Sequence, residues 1–355
     1  MLPDFITETE SSWDILKNTE LPIFIYGMGD GAVKILKIFD EKKISAAGFF
    51  ASDEFVRGHS FMGHTVHSLS KVEEYVDEFI IVLAFGAGYP ELYDKINRIA
   101  SKHTLIAPDV PVYGGGLFDI EFCEKNYDKL NAAYELLADE TSKKTYADVI
   151  NFKISGDISY LNRCTSDTDE IYKGLIDLRN VREYIDMGAY NGDTVQEFLT
   201  FSGGNYDRIY ALEPDASNFK KLKKNTREIN GIEIYNAAAW SENTTLQFSA
   251  LSGRRATLTP LNGRKYIDVQ AVTGDSLTEN ADFIKIDVEG AEHEALTGCR
   301  RSIEKGASLA VSLYHRNEDM YDIPLLVHNI NPRLKLYVRH LLYIPAWETN
   351  LYCTL

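Results

Sequence analysis

The chain has 355 residues, enough for two domains of ordinary size, and its 45% hydrophobic and 25% charged residues are the composition of a soluble globular protein. A formal net charge of −16 argues against a phosphodiester polymer as the main partner, a local basic patch aside, because nucleic-acid affinity comes largely from lysines and arginines that neutralise phosphates. No apolar run reaches the roughly 18 residues of a membrane span, and the acidic start "MLPDFITETESSWDILKN" lacks the basic and apolar stretches of a signal peptide, so a cytoplasmic protein with no membrane span is expected.

Residues 1–116 alternate strand-like and helix-like segments: "PIFIYG", "GAVKILKIFDEK", "ISAAGFF", "SKVEEYV" and "FIIVLAFG". Strands separated by helices predict a small, Rossmann-like parallel α/β domain. Its first turn holds Gly27, Gly29 and Gly31, a G-x-G-x-G run that permits phosphate contact at a helix start, and Asp53 after the next strand is placed to serve a ribose. Asp30 inside the run opposes that nucleotide site; use in homodimerisation or in docking a partner is the alternative. His59, His64 and His67 lie in a turn-rich loop without cysteine or metal-ligand spacing. Residues 117–180, beginning "LFDIEFCEKNYDKLNAAYELLAD", predict a helical connector that caps the second domain. The four cysteines are far apart with no C-x-x-C pair, which suggests neither zinc site nor disulfide framework.

From residue 181 to 355 the alternation resumes with seven strand-like segments: "VREYIDMG", "RIYALEP", "IEIYNAAAW", "DFIKIDVEG", "SLAVSLYH", "KLYVRHLLY" and "TNLYCTL". Five parallel strands and a closing antiparallel pair account for them. The segment "TTLQFSALSGRRATLTPLNGRKYIDVQAVTG" reads as an inserted β-hairpin. Arg254 and Arg255 at its tip suit a phosphate or carboxylate on a substrate; an ordinary solvated loop is the alternative.

In an open parallel sheet, ligands bind beyond the carboxyl ends of the strands, where the connections reverse direction. The first strand of this half ends at Asp186, with Gly188 and Gly192 in the turn "DMGAYNGDT". The second ends at Glu213, 27 residues later (213 minus 186), where a carboxylate can accept from both hydroxyls of a ribose. That points to a nucleoside. A pyrophosphate would be repelled by Asp186 and Asp193, whereas the ammonium and sulfonium of S-adenosylmethionine tolerate acids.

These segments, together with "IYALEPDASNFKKL", "NAAAW", "FIKIDVEGAEHEALTG" and "SLYH", resemble in order the FkbM-type class I S-adenosylmethionine-dependent methyltransferases. The resemblance implies a seven-stranded Rossmann-like sheet with S-adenosylmethionine as cofactor. It implies that Asp186, Gly188, Tyr190, Asn191, Gly192 and Thr194 surround the methionine portion, that Glu213 and Pro214 serve the ribose, and that Asn236, Ala237 and Ala238 border the adenine. It further implies methyl transfer to a hydroxyl oxygen of a small molecule, a sugar or glycan precursor. The preceding domain is similar to those found before some sugar-modifying transferases.

Methyl transfer requires the acceptor oxygen in line with the departing sulfur, and a base for its proton. Asp287 and Glu289 end the fourth strand and His315 ends the fifth, so His315 or Glu289 is the candidate base, with Asp287 orienting it or bonding to the cofactor or acceptor. Glu289 could instead cap the next helix, and His315 could be a packed residue at the strand end; His293 is expected at the surface or behind the residues that touch the ligand. No metal is assigned. Two other functions stay open: an NAD-dependent or nucleotide-sugar enzyme using the amino-terminal turn, and a non-catalytic module that binds S-adenosylmethionine without turnover.

Overall fold

Four-residue runs with no polar break, such as "IFIY" and "IIVL", suit strands covered on both faces. The computed structural model describes residues 2–52, 60–249 and 266–355. The chain divides into two units: Met1–Asn131, Lys143–Thr165 and His340–Thr349 form the first, and Ala132–Ser142, Ser166–Arg339 and Asn350–Leu355 the second. The helices of residues 117–180 are thus shared between both.

The first unit holds β1 (Ile23–Tyr26), β2 (Gly48–Ala51), β3 (Ser60–Phe61), β4 (His64–Ser68), β5 (Ile80–Leu83) and β6 (Thr104–Ile106), in the order β3-β4-β2-β1-β5-β6. All neighbours are parallel except the edge pair β3 and β4. β1, β2 and β5 are buried along their whole length. Their side chains pack with Ile35 and Phe39 of the helix Asp30–Lys42 and with Trp13 and Leu16 of an amino-terminal helix. A buried ion pair, Lys153 Nζ to Asp109 Oδ2 at 2.8 Å, lies in the same unit.

The second unit contains β7 (Glu183–Met187), β8 (Arg208–Leu212), β9 (Ile232–Tyr235), β10 (Ala237–Ala239), β11 (Thr244–Ser249), β12 (Tyr266–Val272), β13 (Phe283–Ile286), β14 (Ser308–Ser312), β15 (Lys335–His340) and β16 (Thr349–Thr354). The main sheet runs β15-β16-β14-β13-β7-β8-β9. β7 is parallel to β8 and β13, β13 to β14, and β8 to β9, while β16 is antiparallel to β14. Tyr184 anchors one face, stacked on Phe198 at 4.5 Å and on Phe283 at 5.2 Å between ring centres. β7 connects outward to β8 while β13 lies on its other side, so the carboxyl ends of β7 and β13 form the crevice where this class of sheet binds ligands.

β11 and β12 pair antiparallel from Thr244–Ala271 to Ser249–Tyr266, the hairpin expected from the sequence, and β10 completes a three-stranded sheet alongside β12. Arg254 and Arg255 lie outside the described residues, as does Asp53. No helix among the described residues is long and apolar enough to cross a membrane.

Candidate functional site

At the end of β7 the backbone must turn within five residues into the helix Asp193–Ser202, and Gly188, Tyr190 and Gly192 take φ of 87°, 46° and 90° there. A Cβ on Gly188 would lie 1.8 Å from the Asp287 carbonyl oxygen, and one on Gly192 would lie 3.2 Å from Leu222 Cδ1 and Thr226 Cγ2. Both glycines therefore serve close protein–protein approach: Gly188 lets β7 and β13 converge, with Asp287 N–H donating to Met187 O at 3.0 Å. Asn191 holds the turn: its Oδ1 accepts from Asp193 N and its carbonyl from Asn225 Nδ2.

Asp186, fully buried, accepts from Thr194 Oγ1 at 2.5 Å through Oδ2. Its Oδ1 has no hydrogen-bond partner among the described residues; Lys285 Nζ stands 3.9 Å away. Burial raises the Asp186 pKa against the opposing pull of Lys285 and Thr194. At the end of β8, Glu213 accepts from Tyr190 N at 3.0 Å and from Asp215 N at 2.8 Å, one bond to each oxygen. Burial nevertheless pushes its pKa up to about 7, beyond what those two N–H groups offset. Asn236 Nδ2 donates to the carbonyls of Glu213 and Pro214, tying the end of β9 to that of β8. Ala237 and Ala238 are buried in β10, and Ala238 packs on Val269 and Ala271 within the small sheet.

A second cluster lies at the ends of β13 and β14. His315, 2% exposed, has Nε2 3.5 Å from Asp287 Oδ1 and 3.6 Å from Glu289 Oε2, and Nδ1 2.8 Å from Glu292 Oε1. The structure brings together all three residues expected from the sequence and adds Glu292. Glu289 takes φ 53° and Gly290 φ 95°, a reversal that points Glu292 back so that its Oε1 accepts from Val288 N at 3.0 Å. Glu292, not Glu289, thus caps this loop. The helix Glu292–Thr297 has no side-chain bond from its N-cap Ala291, and His293 is exposed as expected.

Burial favours a neutral His315 ring, but the charges of Glu292, Asp287 and Glu289 outweigh it and raise its pKa to about 10. The surrounding carboxylates thus favour the imidazolium form of the ring. For Asp287, burial pulls upward, but Lys285 Nζ at 3.6 Å, His315 and the Tyr314 hydroxyl, donating at 3.2 Å, hold it below the usual carboxylate range. Glu292, Lys285 and Tyr314 are the members sequence reasoning missed; the E-G step that turns Glu292 inward was the available signal.

The amino-terminal glycine turn has a packing explanation at two of its three positions. A Cβ on Gly31 would lie 2.3 Å from Ala84 O, and one on Gly27, at φ 120°, 2.7 Å from Phe85 Cδ1; Gly29 faces open space. A cavity of about 290 Å³ in this unit is lined by residues including Tyr26, Phe50, Arg98 and Lys102, and none of the three glycines lines it.

Residues 186–334 match the family model of the methyltransferase FkbM domain. No curated protein matches the chain. Among solved structures the chain is similar to a methyltransferase FkbM from Methylobacillus flagellatus, with 19% identity over 99% of this chain and 94% of that one, at a TM-score of 0.72. At that identity the likeness concerns the fold. An rRNA methylase from Streptococcus thermophilus (14% identity, 54% of this chain and 98% of that one) and an Aeropyrum pernix fibrillarin with bound S-adenosylmethionine (14%, 49% and 66%) reach TM-scores of only 0.35 and 0.31 and add no weight. The family match thus identifies residues 186–334 as an FkbM methyltransferase domain, within a chain that shares its fold with a methyltransferase FkbM.

Proposed function

We propose that the chain transfers a methyl group from S-adenosylmethionine to a hydroxyl oxygen of a small molecule, with sugars and glycan precursors as the acceptor class. The observation that carries the cofactor reading is the buried Glu213 carboxyl, with a pKa of about 7, on the same sheet edge as the Asp186 carboxylate and its unpartnered oxygen. A ribose diol donating to Glu213 would relieve the cost of its buried charge, and an acid-lined turn favours a cationic amino-acid tail over a pyrophosphate.

On this reading Asp186, Gly188, Tyr190, Asn191, Gly192 and Thr194 form the methionine-side wall, and Glu213, Pro214 and Asn236 the nucleoside side. Ala237 and Ala238 support that side from beneath. When bound, the cofactor supplies a methyl group on a positively charged sulfur. The acceptor oxygen forms the new C–O bond, the C–S electron pair leaves with sulfur as a neutral thioether, and the hydroxyl proton passes to a carboxylate. Because His315 holds its own proton, that carboxylate is Asp287 or Glu289, with His315 keeping both in place. Arg254 and Arg255 are proposed to read an anionic group on the acceptor. The four cysteines are free and buried, in keeping with a reducing, cytoplasmic setting.

The test is a mass-spectrometric search for methylated product across nucleotide-sugars and simple saccharides, using the full chain and S-adenosylmethionine. Turnover of at least one hydroxylated acceptor is expected, with the rate falling about 10²- to 10⁴-fold in whichever of Asp287→Asn and Glu289→Gln removes the base. Saturable S-adenosylmethionine binding without turnover on any acceptor class would instead favour a non-catalytic binding module.

A further inference from the structure

Asp287, Glu292 and His315 each offer a ligand-type atom, and the three atoms lie within 4.8 Å of one another. Two of these side chains are sealed from solvent, Glu292 at 1% and His315 at 2% exposure. Each has an atom with no hydrogen-bond partner among the described residues: Glu292 Oε2 and His315 Nδ1. The latter stands 2.8 Å from Glu292 Oε1, an ion pair by distance but not aligned as a hydrogen bond. Buried polar atoms are rarely left unpartnered, and a bound ion is one of the few conditions that explains two on neighbouring side chains.

The charge balance agrees. Asp287, Glu289 and Glu292 face one imidazole, while Lys285 sits on the far oxygen of Asp287, at 3.6 Å from Oδ2. With bonds of about 2.2 Å, ligands on opposite sides of an ion stand about 4.4 Å apart, so three atoms within 4.8 Å close on a cation with small side-chain shifts.

We propose that Asp287, Glu292 and His315 bind a divalent first-row metal ion. Two carboxylates with one imidazole suit an ion of the Mn²⁺ type better than Mg²⁺, which prefers oxygen and sheds water reluctantly. Asp287 is 30% exposed, so the ion keeps an open side toward the crevice between β7 and β13, with Glu289 at its rim. There it would polarise an acceptor hydroxyl as a Lewis acid. That catalytic use rests on the methyltransferase reading; the existence of the site does not.

The test uses the full chain stripped of metal with a chelator and titrated with Mn²⁺ alone, following loss of the free-ion electron paramagnetic resonance signal. One ion per chain is expected, with a pulsed-resonance nitrogen coupling from imidazole that His315→Gln abolishes, and affinity at least tenfold weaker in Asp287→Asn. Circular dichroism and S-adenosylhomocysteine calorimetry on the same samples control for folding. Stoichiometric Mn²⁺ absent from wild-type protein, or bound without nitrogen coupling, overturns the metal site whether or not S-adenosylhomocysteine binds. A His315-dependent ion in protein that fails to bind S-adenosylhomocysteine supports the site and overturns the cofactor reading instead.

Discussion

Lowering the pH from 8 to 6 should weaken S-adenosylhomocysteine binding about tenfold, because Glu213 titrates at about 7 and only its ionised form accepts fully from a ribose diol. About nine-tenths of the group is ionised at pH 8 and about one-tenth at pH 6, so apparent affinity falls by the ratio of those fractions. The perturbation is Glu213→Gln, which keeps the shape and removes the titration. Each oxygen of Glu213 already accepts one backbone N–H, so Gln also leaves one of Tyr190 N and Asp215 N without its acceptor. Loss of a charged acceptor to the ribose is worth about 1.5–3 kcal/mol, or roughly 10- to 150-fold in affinity at pH 8. Calorimetry at pH 6, 7 and 8 on both proteins is the assay. A wild-type profile that is flat, or a slope that persists unchanged in Glu213→Gln, would refute the assignment of Glu213 to the ribose.

Three further outcomes follow from the packing. Gly188→Ala places a Cβ 1.8 Å from Asp287 O at a positive φ, so β7 and β13 must separate; a loss of about 2–4 kcal/mol in urea unfolding and of S-adenosylhomocysteine binding is expected, and wild-type stability would contradict it. Lys153→Met leaves Asp109 buried beside an apolar group and should cost about 3–5 kcal/mol, read from the unfolding transition of the first unit. His340 is buried and held neutral, its pKa lowered to about 4 by burial despite the Tyr343 carbonyl. Its folded pKa is depressed, so its contribution is full above about pH 6.5 and is lost as pH falls through about 4. Between pH 7 and 5 wild type should therefore lose about 2 kcal/mol more than His340→Gln, and parallel losses would contradict the shift.

The strand ends were the legible part of this molecule. Asp186, Glu213, Asp287 and His315 each lie at or near the end of a largely apolar run, and such runs need only local pattern to be recognised. The hairpin of β11 and β12 was legible from alternation and turn residues in the same way. What escaped depends on distant chain. Gly31 looks like half of a phosphate loop until Ala84 O is found 2.3 Å from where its Cβ would be, and no spacing announces that contact. Glu292 looks like one more acid on an exposed helix start; only the reversed backbone at Glu289 and Gly290 buries it against His315. Ala238 follows Asn236 in the segment the resemblance assigns to the adenine, and its packing on Val269 and Ala271 in the small sheet was not legible from the sequence. His315 lies at the strand end the sequence placed it at, but three carboxylates from a different loop raise its pKa.

On the proposed reading, the turn after β7 and the acid after β8 hold an adenosyl amino acid. Parallel calorimetric titrations of the full chain with S-adenosylhomocysteine and with NAD test it most directly. Single-site binding of S-adenosylhomocysteine, weakened in both Asp186→Asn and Glu213→Gln, is the result this account requires. Saturable binding of NAD with none of S-adenosylhomocysteine would contradict it.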